Sequence, residues 1–481
     1  MLLKIEKEKQ IRCEVRKHGL VRFEKTWCAR AKFPNVIVRK IALPVRVKFV
    51  RVEKNRNDIV AKRVSYFMGW TPWAAGTPIG ARRLYAFTSR EIAASSRAKD
   101  SYQPQFDGLR ALAVLTVMVD HFSADVPNFP LPDWIRLGAT GVRLFLVMSG
   151  YFITASLRRA RERMDADELS AGKTMGTFYW RRLLRIAPAY FVFAGIALAL
   201  NLGAIRQNWP WVFTGTVNWL IAWHDQWPLT ISHLWSICVQ EQFYLFWPLL
   251  ILFFPRKWML PAIIAVALAG VAFRIGCVIY SVPLVSRWVL PFGSLDSLAA
   301  GAALGWCGGR LRATRGGWVL AWLCLSMLTL AAVLRTVDPT KLQSVLVEPL
   351  EAGAFVLLVA RTATGFDGNI GRFLSNPALI FAGRISYGLY IYHVLVAMLF
   401  DRWLPDQMRF VITIPSLRLI VFGIVTLFVA ALSWRFLEQP INRLRGEKAG
   451  KVVDLMPQRD WEMDGRTWEF EEEQRTRTQT A

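Results

Sequence analysis

From residue 107 onward the chain alternates between apolar runs and shorter polar, mostly basic connections. A helix needs about 20 apolar residues to cross the hydrocarbon core of a bilayer. Ten runs near that length can be marked, at approximately 108–124, 138–157, 185–203, 232–254, 258–280, 290–308, 317–335, 345–361, 378–400 and 416–437. Every second connection is Arg-rich: 158–185, then 255–258, then 309–317, then the segment after Arg435. Basic connections stay in the cytoplasm, so both termini are expected there, as an even number of spans requires. The predicted fold class is all-α, a polytopic membrane protein with about ten transmembrane helices, and the membrane domain is expected over 104–445.

The flanks read differently. Residues 1–103 hold no apolar run long enough to span. Their stretch 45–53, VRVKFVRVE, alternates basic and apolar residues, as one strand or a membrane-surface segment would. No second strand of similar quality follows, so this region is expected to be a basic cytoplasmic extension, largely unstructured; Met68 is a later candidate start. Residues 446–481 are charged with mixed sign and are expected to form a disordered cytoplasmic tail.

Composition sharpens this picture. Of 481 residues 54% are hydrophobic and 21 are Trp, which places the chain among membrane proteins. The formal net charge of +25 would fit nucleic acid if it lay on one folded face. It lies instead in the leader, with 24 Lys and Arg against 8 acids in residues 1–100, and in alternate connections. No nucleic-acid partner is therefore expected; the bilayer is. The six Cys form no CxxC pair, so neither a zinc site nor a disulfide framework is indicated, and no metal is expected. A Gly-rich phosphate loop and a GxSxG elbow are both missing, which argues against nucleotide hydrolysis and a serine-hydrolase step.

The first run, FDGLRALAVLTVMVDHF, places Arg110 and His121 inside a lipid-compatible helix. Eleven steps of about 100° come within roughly 20° of three full turns, so the two share a face about 16 Å apart along the axis. Ionisable residues in a membrane helix are functional candidates, although an Arg in a first turn also serves as a snorkelling topology anchor and a His at a helix end also sits at the interface. Of five histidines, His121, His233 and His393 all fall near predicted outer helix ends, where an imidazole can act as general base. Glu241 and Asp296 lie deeper; each needs a partner, either structurally from Arg143 or Arg274 or as the orienter of a catalytic imidazole. Within FYWRRLLRIAPAY, Arg182 and Arg185 share a helix face and offer bidentate donors to a phosphate-bearing ligand such as a coenzyme A thioester, when they do not simply fix topology. The outer connection 203–232 carries five Trp, suited to interface anchoring or to stacking on sugar rings.

Several stretches in this order resemble the acyltransferase 3 family over about residues 104–445: FDGLRALAV with its Arg, ten residues, His spacing, then GVRLFLVMSGYFIT, FYWRRLLRIAPAY, HLWSICVQEQFYLFWPLL, ISYGLYIYHVLV and WRFLEQPINRLR. The resemblance implies about ten spans in a bacterial inner (plasma) membrane and transfer of an acyl group, usually acetyl from acetyl-CoA, to hydroxyls of extracytoplasmic carbohydrate such as lipopolysaccharide, exopolysaccharide or a glycolipid. It also implies roles. His121 and Glu241 would be catalytic; Arg110, Arg182 and Arg185 would bind the acyl-CoA co-substrate; Asp296, His393 and Ser149 are further candidates. Departures from the family pattern are Arg143 in place of an acid, Gln240 in place of a second Glu, and Ser294 in place of an Arg. Some members carry an additional SGNH-hydrolase domain, for which the short tail leaves no room, so direct delivery or a separate extracytoplasmic partner is expected. The competing expectation is a transporter or flippase of a glycan, with intramembrane charges lining a pathway and no chemistry.

Overall fold

Two units divide the chain, Met1–Ser96 and Arg97–Ala481. The structure is a computed structural model that describes strands between Leu2 and Phe67, and residues 103–448 apart from 124–135, 204, 229, 309–316 and 339. The tail beyond 448 and the candidate start at Met68 lie outside the described residues.

In the first unit, β1 (Leu2–Ile5), β2 (Lys9–Val15), β3 (Leu20–Phe23) and β4 (Val38–Arg39) form an antiparallel sheet in that order. A hairpin pairs β5 (Arg46–Asn55) with β6 (Asp58–Phe67), from Arg46 opposite Phe67 to Asn55 opposite Asp58. This corrects the expectation that no second strand follows the stretch 45–53. The segment DIVAKRVSYF is rich in strand-favouring Ile, Val, Tyr and Phe. Register shifts between Val47 and Phe49 and between Arg51 and Val52 explain why strict alternation hid the pairing: each bulge moves the two-residue period by one.

In the second unit the described residues contain helices and connections, with no strand. The helices are α1 (Gln105–Ser123), α2 (Leu137–Asp165), α3 (Ala171–Ala199), α4 (Ile205–Phe213), α5 (Val217–His224), α6 (Leu234–Phe253), α7 (Met259–Ile279), α8 (Leu284–Val289), α9 (Leu295–Cys307), α10 (Gly317–Val337), α11 (Glu348–Thr364), α12 (Gly368–Leu374), α13 (Pro377–Arg384), α14 (Ser386–Trp403), α15 (Phe410–Thr413), α16 (Pro415–Ser433) and α17 (Gln439–Lys448). Local chemistry sets several starts. Ser170 caps α3 by accepting from the Lys173 amide, and Asn376 caps α13 by accepting from the Ala378 amide, with Pro377 fitting the first turn.

Six described helical stretches are long and apolar enough to cross a membrane: Leu137–Asp165, Ala171–Ala199, Leu234–Phe253, Arg256–Ile279, Gln343–Thr364 and Pro415–Leu444. The pair α13 and α14, bent by 72°, makes a seventh if it is one span. Two other expected segments fall short for identifiable reasons. The first helix carries Asp107, Arg110, Asp120 and His121 within its 19 residues, and α9 has 13 residues. Large apolar side chains face outward on α7 and α16, including Leu268, Ile279, Ile424 and Phe428, as a lipid-facing surface requires.

Close helix packing relies on small residues. A Cβ on Gly150 of α2 would collide with the Leu298 carbonyl of α9, and one on Gly301 would collide with the Val147 carbonyl, so the two backbones touch. At the start of α1, Gly108 lies against the Leu374 backbone and Gly383 against the Asp107 carbonyl. These contacts fix the end of α1 that carries Arg110.

Candidate functional site

A cavity of about 210 Å³ opens between α1, α2, α3, α6 and α14. Helical spacing explains how each helix reaches it. Ser236, Gln240 and Tyr244 recur every four residues on α6, Phe178, Arg182 and Arg185 lie on one stripe of α3, and Tyr387 and Tyr390 come from α14. Arg110 of α1 enters beside them. All three arginines expected to bind the donor therefore line one space, and Arg181 joins them.

Their surroundings differ. Arg110 pairs with Asp107 at 3.0 Å, one helical turn earlier, and its guanidinium lies 4.7 Å from the Phe152 ring centroid. Arg182 stacks over Tyr244 at 5.1 Å and over Phe178 at 5.8 Å. Arg185 makes no hydrogen bond or ion pair among the described residues. Ser149 also lines the cavity and donates to Gln240 Oε1 at 2.9 Å, which accepts from the Tyr244 hydroxyl at 3.2 Å as well. An amide oxygen at position 240 thus serves two hydroxyls.

Glu241 lines the same cavity, and its Oε1 is buried without a hydrogen-bond partner among the described residues. It makes no bond to His121. Position 241 lies two turns beyond His233 on α6, on the arginine side of the cavity.

His121 is half-buried at the far end of α1 and is absent from the cavity lining. Its Nδ1 lies 2.6 Å from His393 Nε2, and the two ring planes are 23° apart with centroids 4.9 Å apart. The other nitrogen of His393 lies 2.7 Å from the Tyr390 carbonyl oxygen. His233, at the entrance to α6, donates from Nε2 to the Ile391 carbonyl at 3.2 Å and meets His393 edge-on at 5.3 Å. The three histidines marked separately in the sequence therefore form one group. Among the described residues, no cluster of three or more His, Cys, Asp or Glu side chains could hold a metal ion.

Tyr390 joins the cavity to this group. Its hydroxyl donates to the His233 carbonyl at 2.9 Å and shares a 2.6 Å hydrogen bond with Ser236, while its ring lies 5.6 Å from that of His393. The cavity lining includes Ser236 and Tyr390 but none of the three imidazoles. Neither Ser236 nor Tyr390 was marked from the sequence. The motif SYGLYIYHVLV carried the only signal, a Tyr three residues before His393.

Asp296 stands elsewhere, in a buried cluster of three arginines and three acids. Arg274 grips it with two bonds, at 2.9 and 2.7 Å, and also approaches Glu348 at 3.4 Å. Arg143 pairs with Glu348 and Glu351, both at 3.1 Å, and Arg335 pairs with Glu351 at 2.8 Å. The cluster ties α2, α7, α9, α10 and α11 together. The alternative in which Asp296 orients the imidazole is corrected here: its carboxylate is occupied by Arg274. The Arg at position 143, where an acid was expected, finds its partners on α11.

A family model of the acyltransferase domain matches residues 103–435. Peptidoglycan O-acetyltransferase OatA of Listeria monocytogenes is 27% identical over 378 residues, covering 73% of this chain and 57% of that protein. O-acetyltransferase OatA of Staphylococcus aureus is 27% identical over 382 residues, covering 72% and 58% respectively. The chain thus spans less than two thirds of the length of these curated relatives. No solved structure matches it significantly.

Proposed function

Because the chain belongs to the acyltransferase 3 family, we propose that it is a multi-pass membrane O-acetyltransferase that moves an acetyl group from cytoplasmic acetyl-CoA to a hydroxyl of an extracytoplasmic carbohydrate. The observation that carries this reading is the placement of four arginines in one cavity whose lining extends to Tyr390, the residue that also holds the histidine group. In this reading the membrane domain has ten spans with both termini in the cytoplasm of a bacterial inner membrane. The alternate basic connections support that orientation.

Arg110, Arg182 and Arg185 take the phosphates of the donor, since a planar guanidinium matches phosphate oxygens bidentately. The pantetheine arm runs between α2, α6 and α14 toward Tyr390. His121 then acts as general base. As the acceptor oxygen bonds to the thioester carbonyl carbon, its proton passes to His121, the carbon–sulfur bond breaks, and the departing thiolate takes that proton back. Ser149 and Gln240 face the donor path and fix its course. A peptidoglycan acceptor is supported by the name of the Listeria relative, and the exposed Trp residues of the outer connection, Trp209, Trp219 and Trp223, offer faces for sugar rings.

The test is mass spectrometry of cell-envelope glycans from a deletion strain complemented with wild type or His121→Ala at equal membrane levels. Wild type restores O-acetyl groups, and the variant loses about 10²–10⁴-fold in transfer rate, as removal of a general base does. Unchanged acetylation with His121→Ala would overturn the assignment, and altered glycan export without any acetylation would turn the reading to transport.

A further inference from the structure

The histidine group has an internal direction. The Tyr390 carbonyl can only accept, so the nitrogen of His393 that lies 2.7 Å from it carries a hydrogen and donates it. With both rings neutral, His393 Nε2 is then left with a lone pair. His121 Nδ1, 2.6 Å away, must be the donor of that contact. The remaining nitrogen of His121, Nε2, therefore holds a lone pair. Reversing the order would set the lone pair of His393 Nδ1 against that of a carbonyl oxygen. No carboxylate bonds to either ring among the described residues, so the backbone carbonyl alone sets the order.

We infer that His393 is a positioning residue which, held by the Tyr390 carbonyl, fixes His121 in the tautomer whose Nε2 is free to take a proton. This rests on the reading of His121 as general base and adds the device that keeps it one. An acid usually fills this place in base–orienter pairs, and a neutral imidazole anchored on backbone does the same without burying a charge in the membrane. The near-coplanar setting of the two rings, 23° apart, suits this in-plane bond, and the edge-on His233 ring limits rotation of His393.

The inference separates two substitutions of similar size and polarity. His393→Gln reaches as far as Nε2 and offers an oxygen that accepts from His121. His393→Asn reaches only the position of Nδ1; it still bonds the Tyr390 carbonyl but leaves His121 without an acceptor. The measurement is transfer of labelled acetyl from acetyl-CoA to envelope glycan in membrane vesicles holding the full chain, with His121→Ala in parallel. His393→Gln should stay within about fivefold of wild type. His393→Asn should lose at least about 10-fold in kcat, and up to the ~10⁴-fold of a wrong tautomer, with KM for acetyl-CoA unchanged. Equal rates for the two variants at equal membrane levels, whether both high or both low, would overturn the inference. An active His121→Ala would instead remove the base assignment itself, so the two failures are told apart.

Discussion

Arg185 is the arginine of the cavity whose charge no hydrogen bond or ion pair offsets among the described residues, whereas Arg110 already has Asp107. A half-buried guanidinium that makes no hydrogen bond or ion pair of its own, with only the field of Glu438 to favour it, is costly unless a ligand anion meets it. Arg185→Gln should therefore act on donor binding. Losing a charge-assisted hydrogen bond of about 1.5–3 kcal/mol raises KM for acetyl-CoA by roughly 10- to 100-fold, with kcat changed far less, in steady-state kinetics on membranes. An unchanged KM would remove Arg185 from the donor site. At this scale the sequence was informative where a role depends on spacing along one helix. The shared stripe of Arg182 and Arg185 and the distance from Arg110 to His121 follow from 3.6 residues per turn. It was silent on His121 and His393, which are 272 positions apart and meet only once α1 and α14 pack.

At the scale of elements, the contact between α2 and α9 depends on glycines that leave no room for a side chain. Gly301→Leu pushes the helices apart, and overpacking of this kind costs about 1–3 kcal/mol. It should lower the thermal midpoint of the detergent-purified protein. Gly423→Leu on α16 should not, because nothing lies within 4 Å of the Cβ it would add. Equal midpoints for the two variants would show that the glycine contact contributes little. The small residues of GAALG were visible in the sequence, yet their partner helix was not, because lipid-facing and helix-facing apolar positions look alike in composition. The two carboxylates on α11, Glu348 and Glu351, were missed for the same reason. They lie inside an apolar run and become meaningful only when Arg143, Arg274 and Arg335 arrive from three other helices.

At the scale of the whole molecule, hydropathy located the helical segments well but not how each meets the bilayer. A short α9 and the 72° bend between α13 and α14 are outcomes of tertiary packing that a window of apolar residues does not encode. The proposed orientation is open to a direct check. Single cysteines at Glu168→Cys and Thr214→Cys, both at exposed positions on connections of opposite predicted side, should label from opposite faces of intact cells in an otherwise cysteine-free background. Labelling of both from one face would break the alternation. The paired strands β5 and β6 show the converse case, in which two bulges concealed a regular hairpin from a reading based on strict alternation.

The hydrogen bond between Ser236 and Tyr390 also bears on the energy supply of a cell that carries this protein. A passage wide enough for an acetyl group is wide enough for water, and a file of water conducts hydrogen ions. Were the cavity continuous past the three imidazoles, the membrane would discharge the gradient by which it drives synthesis and transport. The lining instead takes in the tyrosine, pinned by a serine hydroxyl and by the carbonyl of His233, and none of the three imidazoles.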